Sequence, residues 1–279
     1  MDETATSEVL RFKDVSLRFD ETPALDHVSF AMNAGETRVV FGAAGSGKTM
    51  MLKTAVGLEK PDSGRVILFG EDVTDFQESA LFKIRAKVGI LFQEGGLFDS
   101  MNIADNVAYP LLNQQVLNQR TRRNGDGPLS EADIDAKVLQ TLNFVELGST
   151  LQKYPSEVSG GMRRRVGIAR AVVTEPPLVL YDSPTAGLDP ITANLIIHLL
   201  IKERDSRNTA AILVTHRYQD GHLMANFRYN PDSGQIEPAV ADGVKTKFFV
   251  MNEGRLVFEG TETELRASQD VYVRKFVKY

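Results

Sequence analysis

Short apolar runs recur along the chain, and one of them leads into a helix-like segment. Thr37–Phe41, Leu178–Asp182 and Lys247–Met251 are five-residue runs rich in aliphatic and aromatic side chains. Runs of this kind are typical of buried strands in a parallel sheet. Met50–Val56 follows the first run after a glycine-rich stretch and has the pattern of a helix. The pattern therefore predicts an α/β fold that contains a strand–loop–helix unit.

Polar residues that commonly cap helices precede three further helical patterns. They are Ser159 before Arg163–Thr174, Ser130 with Glu131, and Thr261, which has capping-box spacing to Glu264. The polar stretch from 113 to 129 separates two of the predicted elements, and Arg122–Pro128 within it predicts an exposed loop. We expect no chemistry from this stretch or from the helix that Thr261 begins.

The segment Gly42–Thr49, between the first strand and its helix, fits the phosphate-binding pattern G-x-x-x-x-G-K-[ST]. Glycines let consecutive backbone N–H groups turn toward an anion, and the following helix points the positive end of its dipole at the same phosphates. Lys48 adds a full positive charge, and Thr49 is placed to bind Mg²⁺ through its hydroxyl. The sequence therefore predicts that the chain binds a nucleoside triphosphate.

Asp182 ends the second apolar run, as a buried parallel strand that delivers a carboxylate to a site would. An isolated aspartate at the end of a strand is more often a turn residue. The phosphate-binding loop in the same chain makes Asp182 our prediction for the second Mg²⁺ anchor.

Composition and charge narrow the possible classes of protein. The 279 residues are 42% hydrophobic and can bury a full core. The formal net charge of −5 gives no electrostatic support for nucleic acid as a partner. No cysteine is present, which excludes disulfides and fits a reducing compartment. No apolar run approaches the roughly 20 residues of a membrane helix and Met1–Thr4 is acidic, so we expect a cytoplasmic protein.

A second glycine-rich helix start lies at Val158–Met162. Ser159 is a natural N-cap there, and Gly160 and Gly161 leave the helix end bare enough for a phosphate to approach. The basic run Arg163–Arg165 that follows precedes apolar positions at helical spacing, which predicts a solvated helix face. Because the chain already has one phosphate loop, the second helix end predicts a nucleotide shared between two copies.

Six motifs in one order along the chain resemble those of the ATP-binding subunits of ABC transporters. They are Gly42–Thr49 (Walker A), Gln93 (Q-loop), Ser159–Met162 (signature), Leu178–Asp182 (Walker B), Ala186–Asp189 (D-loop) and His216 (switch histidine). The resemblance runs from about Leu10 to Gly260. It implies a P-loop NTPase with a RecA-like α/β core, an antiparallel β lobe and an inserted helical lobe, here at about 99–174. A single domain at 8–260 and a helical tail at 261–279 are expected.

The same resemblance implies roles for particular residues. ATP would contact Phe19, Gly42, Ala43, Ala44, Gly45, Ser46, Gly47, Lys48, Thr49, Met50, Ser159, Gly160, Gly161, Met162 and Asp189. Mg²⁺ would contact Thr49, Gln93 and Asp182, and the catalytic positions would be His216, Gln93 and Ser183. An aromatic residue in a strand, such as Phe19, is more often a core residue than an adenine platform. The family implies a head-to-tail homodimer around two ATP molecules, docked on membrane permease subunits on the inner face of the cell membrane.

Two segments resemble the branch of the family that handles lipids, known for maintenance of lipid asymmetry and association with Mce proteins. They are Phe92–Leu111 and the tail Asp270–Val277, and Met162 in the signature motif agrees with them. The resemblance implies phospholipid transport and, as a further partner, an Mce-type substrate-binding protein.

Ser183 departs from the family pattern, which has a glutamate directly after the Walker B aspartate to orient or deprotonate the attacking water. A hydroxyl cannot hold a negative charge at neutral pH, and losing a general base costs on the order of 10² to 10⁴ in rate. Hydrolysis is therefore slow, dependent on His216 or a water chain, or absent. Our hypothesis is that ATP binding and dimer closure are retained and turnover is reduced.

A second departure follows His216. Met224–Tyr229, the turn Asn230–Gly234 and Gln235–Glu237 have the pattern of an inserted hairpin, expected within about 222–246. A harmless surface insertion and a partner-contacting element or cover near His216 both fit this pattern.

Three classes of function remain open. The first class is the ABC transporter subunits, in which an ATPase for another substrate is the alternative to one for phospholipid. A chromosome-maintenance or ribosome-associated ABC protein usually has long coiled coils or two cassettes, and the sequence shows neither. A switch that binds ATP without hydrolysing it fits Ser183. A G-protein is excluded because no Asn-Lys-x-Asp motif occurs.

Overall fold

A computed structural model describes residues 8–93, 95–120, 129–239 and 245–277. The predicted loop Arg122–Pro128 and the end of the predicted tail, 278–279, lie outside the described residues. The twelve strands of the described part are β1 (Glu8–Phe19), β2 (Thr22–Asn33), β3 (Thr37–Gly42), β4 (Ser63–Leu68), β5 (Glu71–Asp72), β6 (Val88–Leu91), β7 (Leu178–Asp182), β8 (Ala210–Val214), β9 (Phe227–Asn230), β10 (Gln235–Pro238), β11 (Thr246–Asn252) and β12 (Arg255–Gly260).

Eight α-helices connect these strands within the described ranges. They are α1 (Lys48–Ala55), α2 (Glu78–Arg85), α3 (Ile103–Arg120), α4 (Glu131–Phe144), α5 (Gly160–Val172), α6 (Pro190–Arg207), α7 (Tyr218–Asn226) and α8 (Glu262–Ala267). Two short 3₁₀ turns, Pro155–Glu157 and Val273–Phe276, complete the helical elements. The predicted strands and helices around the phosphate loop and Asp182 are all present.

The central sheet has six strands in the order β12-β11-β3-β8-β7-β6. Its pairs are parallel except for β11 with β12, which form an antiparallel hairpin. Strands β3, β7 and β8 are buried along their whole length. Both faces of these strands are covered, which explains why they are continuous apolar runs in the sequence.

A second, antiparallel sheet has the order β2-β1-β4-β5. It packs on one face of the central sheet together with α1, and Val40 of β3 belongs to that core. Val39 and Phe41 point to the opposite face, where the helices after β6 form the other core. The fold is thus an α/β core with an antiparallel β lobe, as predicted.

Helices α3, α4 and α5 pack on one another, and α5 also packs on the edge strand β6. This arrangement places a helical lobe within the range that the sequence analysis gives for it, 99–174. Ser130 caps α4 and Ser159 caps α5, each accepting a hydrogen bond from a backbone N–H in the first turn. Thr261 and Glu264 form the predicted capping box of α8.

The inserted hairpin is shorter than the range 222–246 expected for it. Helix α7 continues through Met224, which is fully buried against the core, so the first strand begins only at Phe227. The antiparallel pair β9–β10 then packs on α6, and residues 240–244 lie outside the described part. Burial of one face of α7 outweighs the strand-like pattern of its last residues.

Candidate functional site

The phosphate loop joins β3 to α1 at the carboxyl edge of the central sheet. Gly47 has φ +100°, and a Cβ there would lie 2.3 Å from the carbonyl oxygen of Ala24. A Cβ at Gly42 would lie 2.5 Å from the carbonyl oxygen of Met251 on the neighbouring strand. Both positions therefore require glycine, the first for its conformation and both for the close approach of backbone.

Lys48 occupies the centre of the loop and is 6% exposed. Its ammonium donates to the carbonyl oxygens of Gly42 (2.9 Å) and Ala43 (2.7 Å) and to the hydroxyl of Ser46 (3.2 Å). Burial lowers the pKa of Lys48, and the nearby Asp182 carboxylate opposes that shift. The Lys48 ammonium is thus held by oxygen atoms of the loop itself. An anion bound in the loop could replace these acceptors.

The first turn of α1 is open to an anion. Its N-cap Gly47 has no side chain, and no acidic residue lies in that turn. The first backbone N–H groups of a helix lack partners within the helix, and the dipole makes that end positive. The loop and α1 together therefore fit a phosphate group.

Thr49 and Asp182 meet across the loop and β7. The Thr49 hydroxyl donates to the Asp182 Oδ2 atom at 2.8 Å, and Asp182 is 4% exposed. A hydroxyl and a carboxylate are hard oxygen ligands of the kind that Mg²⁺ prefers. The described residues contain no group of three acidic, histidine or cysteine side chains that could enclose a metal. The donor set fits a Mg²⁺ ion completed by phosphate oxygens and water.

Ser183 follows Asp182 in an unusual backbone conformation, with φ +52°. Its backbone N–H donates to the carbonyl oxygen of Val214 (3.0 Å), and its hydroxyl donates to Asp182 Oδ1 (3.2 Å). The side chain is 6% exposed. Ser183 is thus held beside Asp182, and its hydroxyl provides no base at neutral pH.

His216 follows β8, beside β7 in the sheet. Burial and the charge of Lys48 lower its pKa, and Asp182 partly opposes them. The charges of Lys48 and Asp182 therefore both act on the imidazole, in opposite directions. The lowered pKa leaves His216 neutral at pH 7, with one ring nitrogen able to accept a proton.

The structure places the remaining predicted residues in three regions. Phe19 ends β1 and is 47% exposed, which excludes the alternative that it is a core residue. Gln93 is exposed and follows Phe92, which lines a small cavity with Thr49 and Asp182. Met50 lies in α1, half-buried. The Q-loop therefore runs next to the expected metal site.

The signature segment and the D-loop are neighbours. A Cβ at Gly161 would lie 2.8 Å from the Thr192 Cγ2 atom, at the start of α6. Asp189 caps that helix, accepting hydrogen bonds from the backbone N–H groups of Ile191 and Thr192, both at 3.0 Å. These two predicted nucleotide-contacting segments therefore form one surface.

That surface is remote from the phosphate loop of the same chain. The loop leaves β3, and the signature helix α5 packs on the edge strand β6. Three strand spacings separate β3 from β6, about 14 Å in the plane of the sheet. The phosphate loop and the signature helix therefore stand on strands about 14 Å apart, and a second copy could bring its own signature segment to the loop.

A family model described as ABC transporter matches residues 25–186. The match begins in β2 and includes the phosphate loop, the signature segment and Asp182. The chain belongs to the ABC transporter family.

Two curated ABC proteins illustrate its relatives. The probable ribonucleotide transport ATP-binding protein mkl of Mycobacterium leprae is 34% identical over 207 residues, which cover 74% of this chain and 56% of that protein. The methionine import ATP-binding protein MetN of Rhizobium etli is 33% identical over 258 residues, covering 92% of this chain and 62% of that protein. The chain thus spans less than two thirds of the length of either relative.

Solved ABC cassettes have the same fold. The ATP-binding cassette MJ0796, in a dimeric post-hydrolysis state bound to ADP and Pi, superposes with a TM-score of 0.72 at 27% identity, covering 90% of this chain and 98% of that one. The structure of cbiO1 from Clostridium perfringens, part of an ABC transporter complex, gives a TM-score of 0.72 at 25% identity, covering 96% and 94%. The predicted fold class is confirmed.

Asp220 is a member of this ABC site that sequence reasoning missed. It lies in the first turn of α7 and is fully buried. Its Oδ2 atom accepts hydrogen bonds from the hydroxyls of Thr185 (2.5 Å) and Thr215 (2.6 Å), and its Oδ1 atom lies 3.4 Å from the Arg217 guanidinium. Thr185 is two residues after Ser183 and Thr215 precedes His216. One carboxylate therefore joins the two turns that carry Ser183 and His216.

We expect Asp220→Ala to lower the free energy of unfolding by about 2–4 kcal/mol, because two hydroxyls and Arg217 lose their acceptor in a buried site. Asp220→Asn keeps an acceptor oxygen and should lose less. Urea unfolding of both variants checks the order. An equal loss in the two variants would contradict the role of the acceptor.

Burial raises the pKa of Asp220 above its ordinary value of 3.8, and the two threonine hydroxyls only partly offset this. The folded chain then holds the proton more tightly than the unfolded chain. The stability that this proton binding contributes is complete below pH 3.8 and is lost as the pH rises through the folded pKa. The stability of Asp220→Asn relative to the wild type should therefore increase over that window.

Arg170 is a second missed residue. Its guanidinium donates to the carbonyl oxygens of Gly95 (2.9 Å) and Gly96 (2.8 Å), just after Gln93, and its Cζ atom lies 5.6 Å from the centre of the Phe98 ring. Burial lowers the pKa of Arg170. Because Arg170 lies on α5, the signature helix is joined directly to the Q-loop.

The arginine run at the start of α5 also has a structural role. Arg163 donates to the carbonyl oxygen of Val158 (2.9 Å), Arg164 to that of Ala186 (3.3 Å) and Arg165 to that of Val145 (3.0 Å). The run is therefore more than a solvated face, since it holds three neighbouring loops against the ABC signature helix.

Proposed function

We propose that this chain is the ATP-binding and ATP-hydrolysing subunit of an ABC transporter. It would bind ATP with Mg²⁺ between the phosphate loop of one copy and the signature segment of a second copy. The separation of these two segments within one chain is the observation that carries the proposal. The Thr49–Asp182 pair holds the metal, and closure of the head-to-tail homodimer drives a permease.

A groove beside the Q-loop supports the permease partner. A cavity of about 220 Å³ between the core and the helical lobe is lined by Phe82, Ile90, Pro110 and Arg170, among others. Phe82 is 53% exposed at its rim. Because Arg170 lines the groove and also holds the loop after Gln93, a helix of the permease bound there would act on the Q-loop. This docking would keep the chain on the inner face of the membrane.

None of the helices in the described ranges combines the length and hydropathy that spanning a membrane requires.

We expect Phe82→Glu to reduce the membrane-bound fraction of the full chain about tenfold, since it puts a charge into an apolar contact. ATP binding should stay unchanged because Phe82 lies outside the phosphate loop. Membrane fractionation of tagged chains measures the effect. Leu139→Glu, on an exposed apolar residue of α4, is the matched control. Equal retention of both variants would argue against the groove.

For the substrate we propose a phospholipid, with an Mce-type substrate-binding protein as a further partner. The resemblance of Phe92–Leu111, Met162 and Asp270–Val277 to the lipid branch supports this choice. The names of the relatives concern ribonucleotide transport and methionine import, so transport of another substrate is the alternative.

Ser183 supports a second proposal, an ATP-binding switch with little or no hydrolysis. Its hydroxyl donates to Asp182, and no carboxylate occupies the position. Dimer closure would then follow ATP binding without turnover, or the chain would regulate an active cassette.

Steady-state ATP turnover of the purified chain, with Lys48→Ala as the blank and with or without the permease, separates the two proposals. Turnover above the blank supports the transporter motor. No turnover together with ATP-induced dimerisation supports the switch. Absence of both turnover and ATP-induced dimerisation would contradict a nucleotide shared between two copies, on which both proposals depend.

A further inference from the structure

The C-terminal segment 261–277 returns to the ATP-binding edge of the sheet. Val273 is fully buried, and the Phe276 ring stacks on Phe41, the residue before the phosphate loop, with centroids 6.1 Å apart. The Tyr272 ring packs edge-on against Phe276 at 5.2 Å. The Asp270 carboxylate fixes the turn by accepting hydrogen bonds from the backbone N–H groups of Tyr272 and Val273. The segment is therefore seated by core contacts beside the loop.

The Tyr272 hydroxyl contacts the phosphate loop itself. It accepts a hydrogen bond from the backbone N–H of Ala43 (3.1 Å) and donates one to the carbonyl oxygen of Met251 (3.1 Å). Met251 pairs with Gly42 across β11 and β3. One hydroxyl therefore joins the first residue after Gly42 to the neighbouring strand.

Ala43 is also a resting contact of Lys48. Its carbonyl oxygen accepts a hydrogen bond from the Lys48 ammonium at 2.7 Å, and its N–H donates to Tyr272. When an anion draws the ammonium away, Ala43 loses the first of these hydrogen bonds and keeps the second. Ala43 is exposed, so the hydrogen bonds to Tyr272 and from the Ser46 backbone N–H (3.2 Å) are the contacts that would hold it in place during that change, and Tyr272 is the one from outside the loop.

The same C-terminal segment also contacts the helix after His216. The Glu262 carboxylate, at the start of α8, accepts hydrogen bonds from the Tyr218 hydroxyl, His222 Nδ1 (2.9 Å) and the Asn226 amide. All three donors lie on α7. The C-terminal segment therefore contacts both the phosphate loop and α7, the helix that follows His216. These two parts of the chain are far apart in the sequence.

We propose that Tyr272 is a positioning residue for nucleotide binding, which holds the start of the phosphate loop in its anion-binding conformation. The role rests on the proposed ATP site and extends it to the C-terminal segment. Tyr272 contacts the loop backbone and leaves the chemistry to other residues. Its loss should therefore weaken ATP binding and leave the rate at saturating ATP unchanged.

The test is calorimetric titration of the full-length chain with ATP and Mg²⁺, comparing wild type with Tyr272→Phe. This substitution removes only the hydroxyl and keeps the ring that packs on Phe276. We expect the Kd for ATP to rise about fivefold, because of the two hydrogen bonds lost only the one from Ala43 acts on the phosphate loop, and one neutral hydrogen bond contributes about 1 kcal/mol. Where turnover is measurable, KM should rise by the same factor and kcat should stay constant.

Two further variants make the result specific. Tyr229→Phe removes a hydroxyl on the inserted hairpin. Tyr229 lies beside residues that precede β3 and β11, so it is at the edge of the sheet opposite the phosphate loop. This variant should bind ATP as the wild type does. Phe276→Leu loosens the segment and keeps the hydroxyl, and thermal unfolding without nucleotide is measured for all variants.

An unchanged Kd in Tyr272→Phe, with normal binding by the wild type, overturns the role of Tyr272 alone. A rise in Kd that Phe276→Leu reproduces at the same loss of thermal stability shows a merely structural effect and also overturns it. Failure of the wild type to bind ATP overturns the ATP site and the role of Tyr272 together.

Discussion

Replacing Ser183 with glutamate is expected to raise the rate of ATP hydrolysis at saturating ATP by about 10²-fold or more. The expected factor is the contribution of a positioned general base, on the order of 10² to 10⁴. The other parts of the site are in place: Lys48 in the loop, the Thr49–Asp182 pair and a neutral His216. The group that the site lacks is a carboxylate after Asp182 to act as general base, and Ser183→Glu should supply it.

The local geometry favours this gain. Ser183 already has φ +52°, so exchanging one L-residue for another adds little backbone strain. The position is almost fully buried and adjoins the Asp182 carboxylate, which disfavours a second negative charge nearby. Burial and a like charge both raise a carboxyl pKa, which brings a glutamate closer to the working pH as a base.

The measurement is steady-state phosphate release by wild type, Ser183→Glu and Ser183→Gln. The glutamine variant has the size of glutamate without its charge and should stay at the wild-type rate. A glutamate variant no faster than the wild type would show that another group already supplies the base. That result would also contradict our hypothesis that Ser183 reduces turnover.

Replacing Lys48 with alanine is expected to weaken ATP binding by about 10²- to 10³-fold and to reduce turnover to background. Two or more charge-assisted hydrogen bonds to phosphate are lost, each worth about 1.5–3 kcal/mol. The resting structure adds to this loss. The carbonyl oxygens of Gly42 and Ala43 both accept from Lys48, so the loop also loses its internal contacts.

Lys48→Arg is the matched control for charge. Its guanidinium keeps the positive charge but needs more room than the 6%-exposed ammonium has between the two carbonyls. We expect arginine to recover only part of the binding. Calorimetric titration with ATP and Mg²⁺ measures all three chains. Wild-type affinity in Lys48→Ala would mean that the nucleotide binds elsewhere.

The parts of the site that lie in one short stretch are predictable from the sequence. Gly42–Thr49 needs only its own glycines, its lysine and the strand before it, and the structure gives it that form. Asp182 is predictable because a parallel sheet brings the ends of β3 and β7 to one edge. Ser159 and Thr261 cap their helices through local hydrogen bonds that the spacing already indicates.

The contacts between distant segments were not predictable. Asp220 looks like an ordinary polar residue of α7 until the fold places Thr185 and Thr215 against it. Tyr272 lies 229 positions from Ala43, and no local pattern relates them. The hairpin boundary was wrong because tertiary burial of Met224 extends α7. Each miss concerns packing across the chain, which neither spacing nor propensity records.

The distance between the phosphate loop and the signature segment has a consequence for solution behaviour. If two copies share each nucleotide, then ATP and self-association are linked by mass action. The midpoint of an ATP titration should then shift to lower ATP as the concentration of the chain increases, and dilution should release nucleotide. An apparent affinity for ATP would then combine nucleotide binding with self-association, and its value would depend on the protein concentration used.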